Sequence, residues 1–182
     1  MKTRTVILSI ALLAFLFFVK IWLNHPLPNY EGEKSLPVNK NVDVFTDDFG
    51  VPHIFGKTDA EVAYGLAWAH AEDDFETIQI GYLAGNNLLS KHIGNKGLGA
   101  DFISQFIGSN SLFEKKYNSE ISEEYKRIVK AYASGLNHYA SENPDQVFVK
   151  ELFPITEKKM MRYGQLQLFI SSKGDQWVSK II

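Results

Sequence analysis

Cysteine is absent from this 182-residue chain. That excludes a thiol nucleophile, any disulfide and any zinc–thiolate site together. It does not identify a compartment, because exported proteins also go without cysteine. Neither sign of charge is in excess: 19 Lys and Arg stand against 21 Asp and Glu, a net −2. Such a balance offers no basic surface for phosphates and points away from a nucleic-acid partner. Proline is scarce, with 6 residues, and no internal repeat or low-complexity tract is present. What remains is 45% hydrophobic and 13% aromatic, the composition of a packed globular protein rather than a disordered one.

The N-terminus carries its own signal. Lys2 and Arg4 precede an apolar-rich run from Val6 to Val19; Lys20 interrupts it, and Ile21, Trp22 and Leu23 resume it. With its flank the run approaches the roughly 20 residues that a bilayer core requires, and the leading charges favour a cytoplasmic start. The small residues of a cleavage site are replaced by Lys20, Trp22, Asn24, His25 and Pro26. Residues 1–23 are therefore expected to be a signal-anchor or transmembrane segment, with residues 5–23 in the membrane. The rest of the chain is then exported, facing the periplasm or the cell exterior. A cleaved leader and a buried N-terminal helix are the alternatives. Residues 24–41, with Pro26, Pro28, Gly32 and Pro37, read as an extended linker, and residues 42–182 as the folded region.

In that region Val42, Val44 and Thr46 alternate with Asp43 and Phe45, Asp47-Asp48-Phe49-Gly50 supplies turn chemistry, and a second short run spans residues 51–55. This pattern predicts a β-hairpin. Thr58 and Glu61 form a Thr-x-x-Glu capping box, which starts a long helix with Val62, Leu66, Ala69 and Asp73 along one side. Ala63, Ala67, Ala69 and Ala71 would let neighbours approach closely. Gly85, Gly94, Gly97, Gly99 and Gly108 break the following stretch into short pieces. A second long helix is predicted from about Ser119 to Tyr139, with Ile121, Tyr125, Ile128, Val129, Tyr132, Leu136 and Tyr139 on one stripe. It ends at Asn143-Pro144. A third follows Pro154, capped by Thr156, with Met160, Tyr163, Leu166, Phe169 and Ile170 as its apolar face and Gly174 as its stop.

Within these elements stand the phrases Asp48-Phe49-Gly50-Val51-Pro52-His53-Ile54 and Gly65-Leu66-Ala67-Trp68-Ala69-His70-Ala71-Glu72-Asp73. Further on come Gly85, Gly94 and Asp101, and then Ala131-Tyr132-Ala133-Ser134-Gly135-Leu136-Asn137. In this order the chain resembles the opening of the penicillin acylase (penicillin amidase) family, which includes acyl-homoserine-lactone acylases. Two departures stand out. Asp74 occupies a position where that family often has Arg, and residues 86–90 lack the Glu it often has between the two glycines.

The resemblance implies an α+β fold: the mostly helical α-chain portion of an N-terminal-nucleophile (αββα) hydrolase, with an N-terminal β-hairpin. It implies an amidohydrolase, processed from a zymogen, that cleaves the amide between an acyl group and an amine nucleus of β-lactam or homoserine-lactone type. Such an enzyme would serve antibiotic metabolism or quorum-signal degradation. The N-terminal Ser of a separate β-chain attacks the amide there, and its own α-amine, titrating near 7.7–8.0, is the base. No residue of this chain is thereby assigned a catalytic role, and the chain alone is expected to be inactive, its partner being the β-chain of the same precursor or of a neighbouring gene. A non-catalytic, membrane-tethered remnant or binding partner of the same fold is the rival reading. Gly108-Ser109-Asn110 copies the family's cut point, but it precedes the helix that should come before the cut, so Ser109 reads as a loop serine.

Three site residues follow from the same resemblance. Phe169 and, one turn earlier, Gln165 are expected on the acyl pocket, with core packing as the equal alternative for Phe169. Asp175 is placed on a structural calcium shared with the β-chain, or else is a solvated surface acid; one carboxylate is few of the six to eight oxygens such an ion takes. No other cofactor is required. His53 and His70 read as structural, bonding to backbone carbonyls or to carboxylates such as Asp48 or Asp73. His70-Ala71-Glu72 lacks the Cys-x-x-Cys that zinc deaminase chemistry needs.

Overall fold

The computed structural model describes residues 42–107 and 109–174, with Leu12, Phe15 and residues 17–20. The linker assigned to residues 24–41 lies outside them. Two compact units are distinguished: residues 1–34 with 45–53, and residues 35–44 with 54–182.

The membrane reading of the N-terminus is corrected. Residues 17–20 are helical, yet no helix among the described residues is long and apolar enough to cross a membrane. The transmembrane and signal-anchor assignment of residues 5–23, and the membrane-anchored location drawn from it, are therefore not supported. The physical reason is length and charge. From Val6 to Val19 the run has 14 residues, fewer than the roughly 20 that a bilayer core requires, and Lys20 then puts a full charge into the stretch.

Strands β1 (Asp43–Thr46) and β2 (Pro52–Phe55) pair as an antiparallel hairpin. The alternation along β1 is as expected: Val44 and Thr46 are half-buried while Asp43 and Phe45 are exposed. Between the strands, Asp47 organises the turn. Its Oδ1 accepts from the backbone N–H groups of Phe49 and Val51, each at 2.9 Å. Its Oδ2 lies 2.9 Å from His53 Nε2, and Gly50 takes φ 80°, where glycine carries no Cβ penalty. The His53 bond, then the backbone bonds, hold the Asp47 carboxyl below its usual range.

In the unit that holds residues 54–182, helix α1 (Asp59–Gly85) begins with the complete capping box of Thr58 and Glu61. Then come α2 (Leu89–Ile93), a 3₁₀ turn (Gly94–Gly97), α3 (Leu98–Phe106), α4 (Ser109–Glu120) and α5 (Glu123–Glu142). Two further 3₁₀ turns precede α6 (Glu157–Ser171), which Thr156 caps. The glycine-rich stretch is thus broken as expected, and α6 stops at Ser171, before the expected Gly174, with Lys173 in the left-handed region at φ 61°.

The core lies mainly between α1 and α5, with α6 packed on α1. It gathers Ala67, Trp68, Ala71, Phe75 and Leu83 of α1 with Ala133, Leu136 and Tyr139 of α5, and Leu152 and Ile155 before α6. Ala63, Ala67, Ala69 and Ala71 of α1 are all buried, whereas along the side marked by Val62, Leu66, Ala69 and Asp73 only Ala69 is: Asp73 is exposed, and Val62 and Leu66 are half-buried. The alanines decide this. They let α5 come close to the side that also carries the large rings, so burying that side removes more apolar area from water.

Candidate functional site

Two of the phrases that stand out in the sequence, residues 65–73 and 131–137, lie on the two helices of the α1–α5 contact. A Cβ built on Gly135 would stand 2.5 Å from the Tyr64 carbonyl oxygen and 2.8 Å from the Ala67 Cβ. Only a glycine admits that approach. On one side of this crossing Tyr64 Oη lies 2.8 Å from His138 Nδ1, and the His138 ring stands 4.6 Å from that of Trp68. On the other, His70 Nδ1 lies 2.9 Å from Tyr132 Oη. Burial pushes both phenols upward in pKa, so they stay neutral hydroxyls suited to these bonds. Of the two histidines read as structural, His53 meets a carboxylate as expected and His70 does not. His70 meets a tyrosine, and His53 meets Asp47 rather than Asp48.

The remaining motif residues also bind backbone. Asn137 is bidentate to Ile155: its Nδ2 donates to the carbonyl at 2.8 Å and its Oδ1 accepts from the N–H at 2.6 Å. Asp101 accepts from the N–H groups of Leu89 and Ser90 at 2.9 and 3.0 Å. It caps α2 from a distance, a task the helix cannot meet with Leu88 as its own cap residue. Asp74, the first departure, sits at a break inside α1 (φ −152°, ψ 74°) and accepts from Thr77 N–H at 2.9 Å. Bonding to Thr77 holds its carboxyl below the usual range.

Apart from these groups, a groove of about 1100 Å³ opens between α4, the start of α5 and α6. Tyr117, Ile121, Tyr125, Met161 and Leu168 line it, and so does Gln165. Gln165 thus stands on the face where an apolar group could lodge. Phe169, on the next turn, is half-buried with its ring over Gly174, where a Cβ would come within 2.4 Å of it. Ser109 is the first residue of α4 rather than a loop residue, and Asp175 lies outside the described residues. Sequence reading missed Gln79, Asn86 and Lys159. Gln79 left the trace of a polar residue between Ile78 and Ile80; Asn86 and Lys159 stand in polar stretches, and nothing in the order of residues named the distant partners of any of the three.

A family model described as penicillin amidase matches residues 41–169. The chain belongs to the penicillin amidase family. It is 24% identical over 118 residues to the penicillin acylase 2 proenzyme of Pseudomonas sp. (strain SE83), across 64% of this chain and 15% of that protein. The match thus spans a small fraction of that relative's length, and the chain corresponds to a partial, N-terminal region of the family. Its fold is that of a thermostable penicillin G acylase from Alcaligenes faecalis, with TM-score 0.59 at 18% identity, over 76% of this chain and 74% of that one.

Proposed function

We propose that this chain is the α-chain-type region of an amidohydrolase that cleaves the amide between an acyl group and an amine nucleus, of β-lactam or acyl-homoserine-lactone type. In this reading the nucleophile is the N-terminal serine of a β-chain-type portion of the same proenzyme, and the present region is inactive without it. It contributes the helical scaffold and one wall of the acyl site, with Gln165 on that wall and Phe169 behind it, its ring packed over Gly174. A calcium held partly by Asp175 would join the two portions. One observation carries the reading: in a chain matched by the penicillin amidase model, an apolar groove opens on α6 beside Gln165. His53, His70 and Asp101 of the phrases meanwhile are bound to architectural partners.

The test is hydrolysis of a panel of acylated amines, from phenylacetyl amides to acyl-homoserine lactones. No turnover is expected from the chain alone, and turnover is expected once it is combined with the serine-bearing portion. Gln165→Ala and Phe169→Ala should raise KM for the preferred acyl group by about tenfold, the scale of one altered contact in an apolar pocket. Hydrolysis by the isolated chain would refute the assignment, as would unchanged acyl preference in both variants.

A further inference from the structure

Lys159 is the third residue of α6, and its side chain turns back onto the loop before the helix. There Nζ donates to the carbonyl oxygens of Glu151 at 3.1 Å, Leu152 at 2.6 Å and Pro154 at 3.0 Å. A lysine ammonium has three N–H donors, so these three carbonyls satisfy it completely. Glu151 and Leu152 close a 3₁₀ turn, and the last carbonyls of such a turn carry the negative end of its peptide dipoles. The lysine is tied at its other end too: its backbone carbonyl accepts from Asn86 Nδ2 at 3.0 Å. Burial, with Arg162 nearby, pulls the ammonium below its usual pKa, so the charge sits where desolvation opposes it and the carbonyls offset that cost.

Three backbone oxygens converging on one point form a cation site whatever supplies the cation. We propose that the carbonyls of Glu151, Leu152 and Pro154 are a site for a monovalent cation of ammonium or potassium size, filled by the chain's own Lys159, which thereby positions α6. The distances exclude a divalent ion in this geometry, since magnesium takes oxygens at about 2.0–2.1 Å and calcium at about 2.3–2.6 Å. Lys159 is a positioning residue: through it the loop that ends at Ile155, the end of α1 at Asn86 and the start of α6 share one anchor.

The experiment uses the full chain. Lys159→Ala empties the site, and melting is followed by circular dichroism as methylammonium chloride is added. Tetramethylammonium chloride at equal ionic strength is the control, having no N–H to donate. The variant is expected to melt below the wild type, and saturating methylammonium to raise its midpoint by roughly 4 °C over the control, while the wild type responds equally to both salts. A variant that melts like the wild type, or that the two salts stabilise equally, overturns the proposal. Should Lys159→Ala fail to fold, the wild type decides by labelling with acetic anhydride and peptide mass spectrometry. Lys159 is expected to react about tenfold more slowly than Lys57 or Lys130, because it must first open; equal rates overturn the proposal.

Discussion

Gln79 is fully buried in helix α1 and still satisfies both ends of its amide. Nε2 donates to the carbonyls of Phe75 at 3.3 Å and Gln146 at 2.9 Å, and Oε1 accepts from the N–H of Phe148 at 3.0 Å. One side chain thus supplies residues 146–148 with the pairing that a neighbouring strand would give. Gln79→Leu keeps the volume and strands a buried donor and acceptor, so it should lower unfolding stability by about 3 kcal/mol. Urea titration checks this, and a loss below about 1 kcal/mol would show that water takes over those bonds. At this scale the sequence named residue types without partners. His70 and Asn137 stood out as polar residues inside helical phrases, but Tyr132 lies 62 positions from His70 and Ile155 lies 18 from Asn137. No local spacing rule reaches that far.

Among the elements, α1 and α5 were the most legible. The α1 start, the Asn143-Pro144 stop and the Thr156 cap are local chemistry, written within four residues of where they act. The break at Asp74 was not legible, because an acidic run reads as a continuous helix surface until the Thr77 bond is seen. Predicted from Ser119, the second long helix instead starts after Ser122, which accepts from Tyr125 N–H at 3.2 Å; Ile121 falls before it. The closeness of α1 and α5 also yields a prediction. Alanine is the better helix former by about 1 kcal/mol, yet Gly135→Ala drives its Cβ into the Tyr64 carbonyl and must push the helix backbones apart. We expect a net loss of about 2 kcal/mol, read from thermal unfolding. A stabilised variant would mean the helices pack less tightly than described.

For the molecule as a whole, the informative surface is apolar. Leu98, Phe102 and Phe106 recur at every fourth position of α3, more than half exposed, with the two phenylalanine rings 6.2 Å apart. Soluble monomers seldom leave such a stripe open. Phe102→Lys should reduce hydrophobic-dye fluorescence and aggregation while changing stability by less than about 0.5 kcal/mol. A large loss of stability would instead place that ring in the core.

The order of residues by itself determined the family, the hairpin-then-helices succession and most of the helix ends, because caps, turns and breakers act through neighbouring backbone. The tertiary structure alone decided which face of α1 is buried, and which polar groups are spent on architecture. It also placed the groove beside Gln165 and left no described helix long and apolar enough to span a membrane. The buried face and the groove depend on how closely helices approach and on what lies across the contact. These are properties of packing between distant segments, and periodicity along one segment does not encode them.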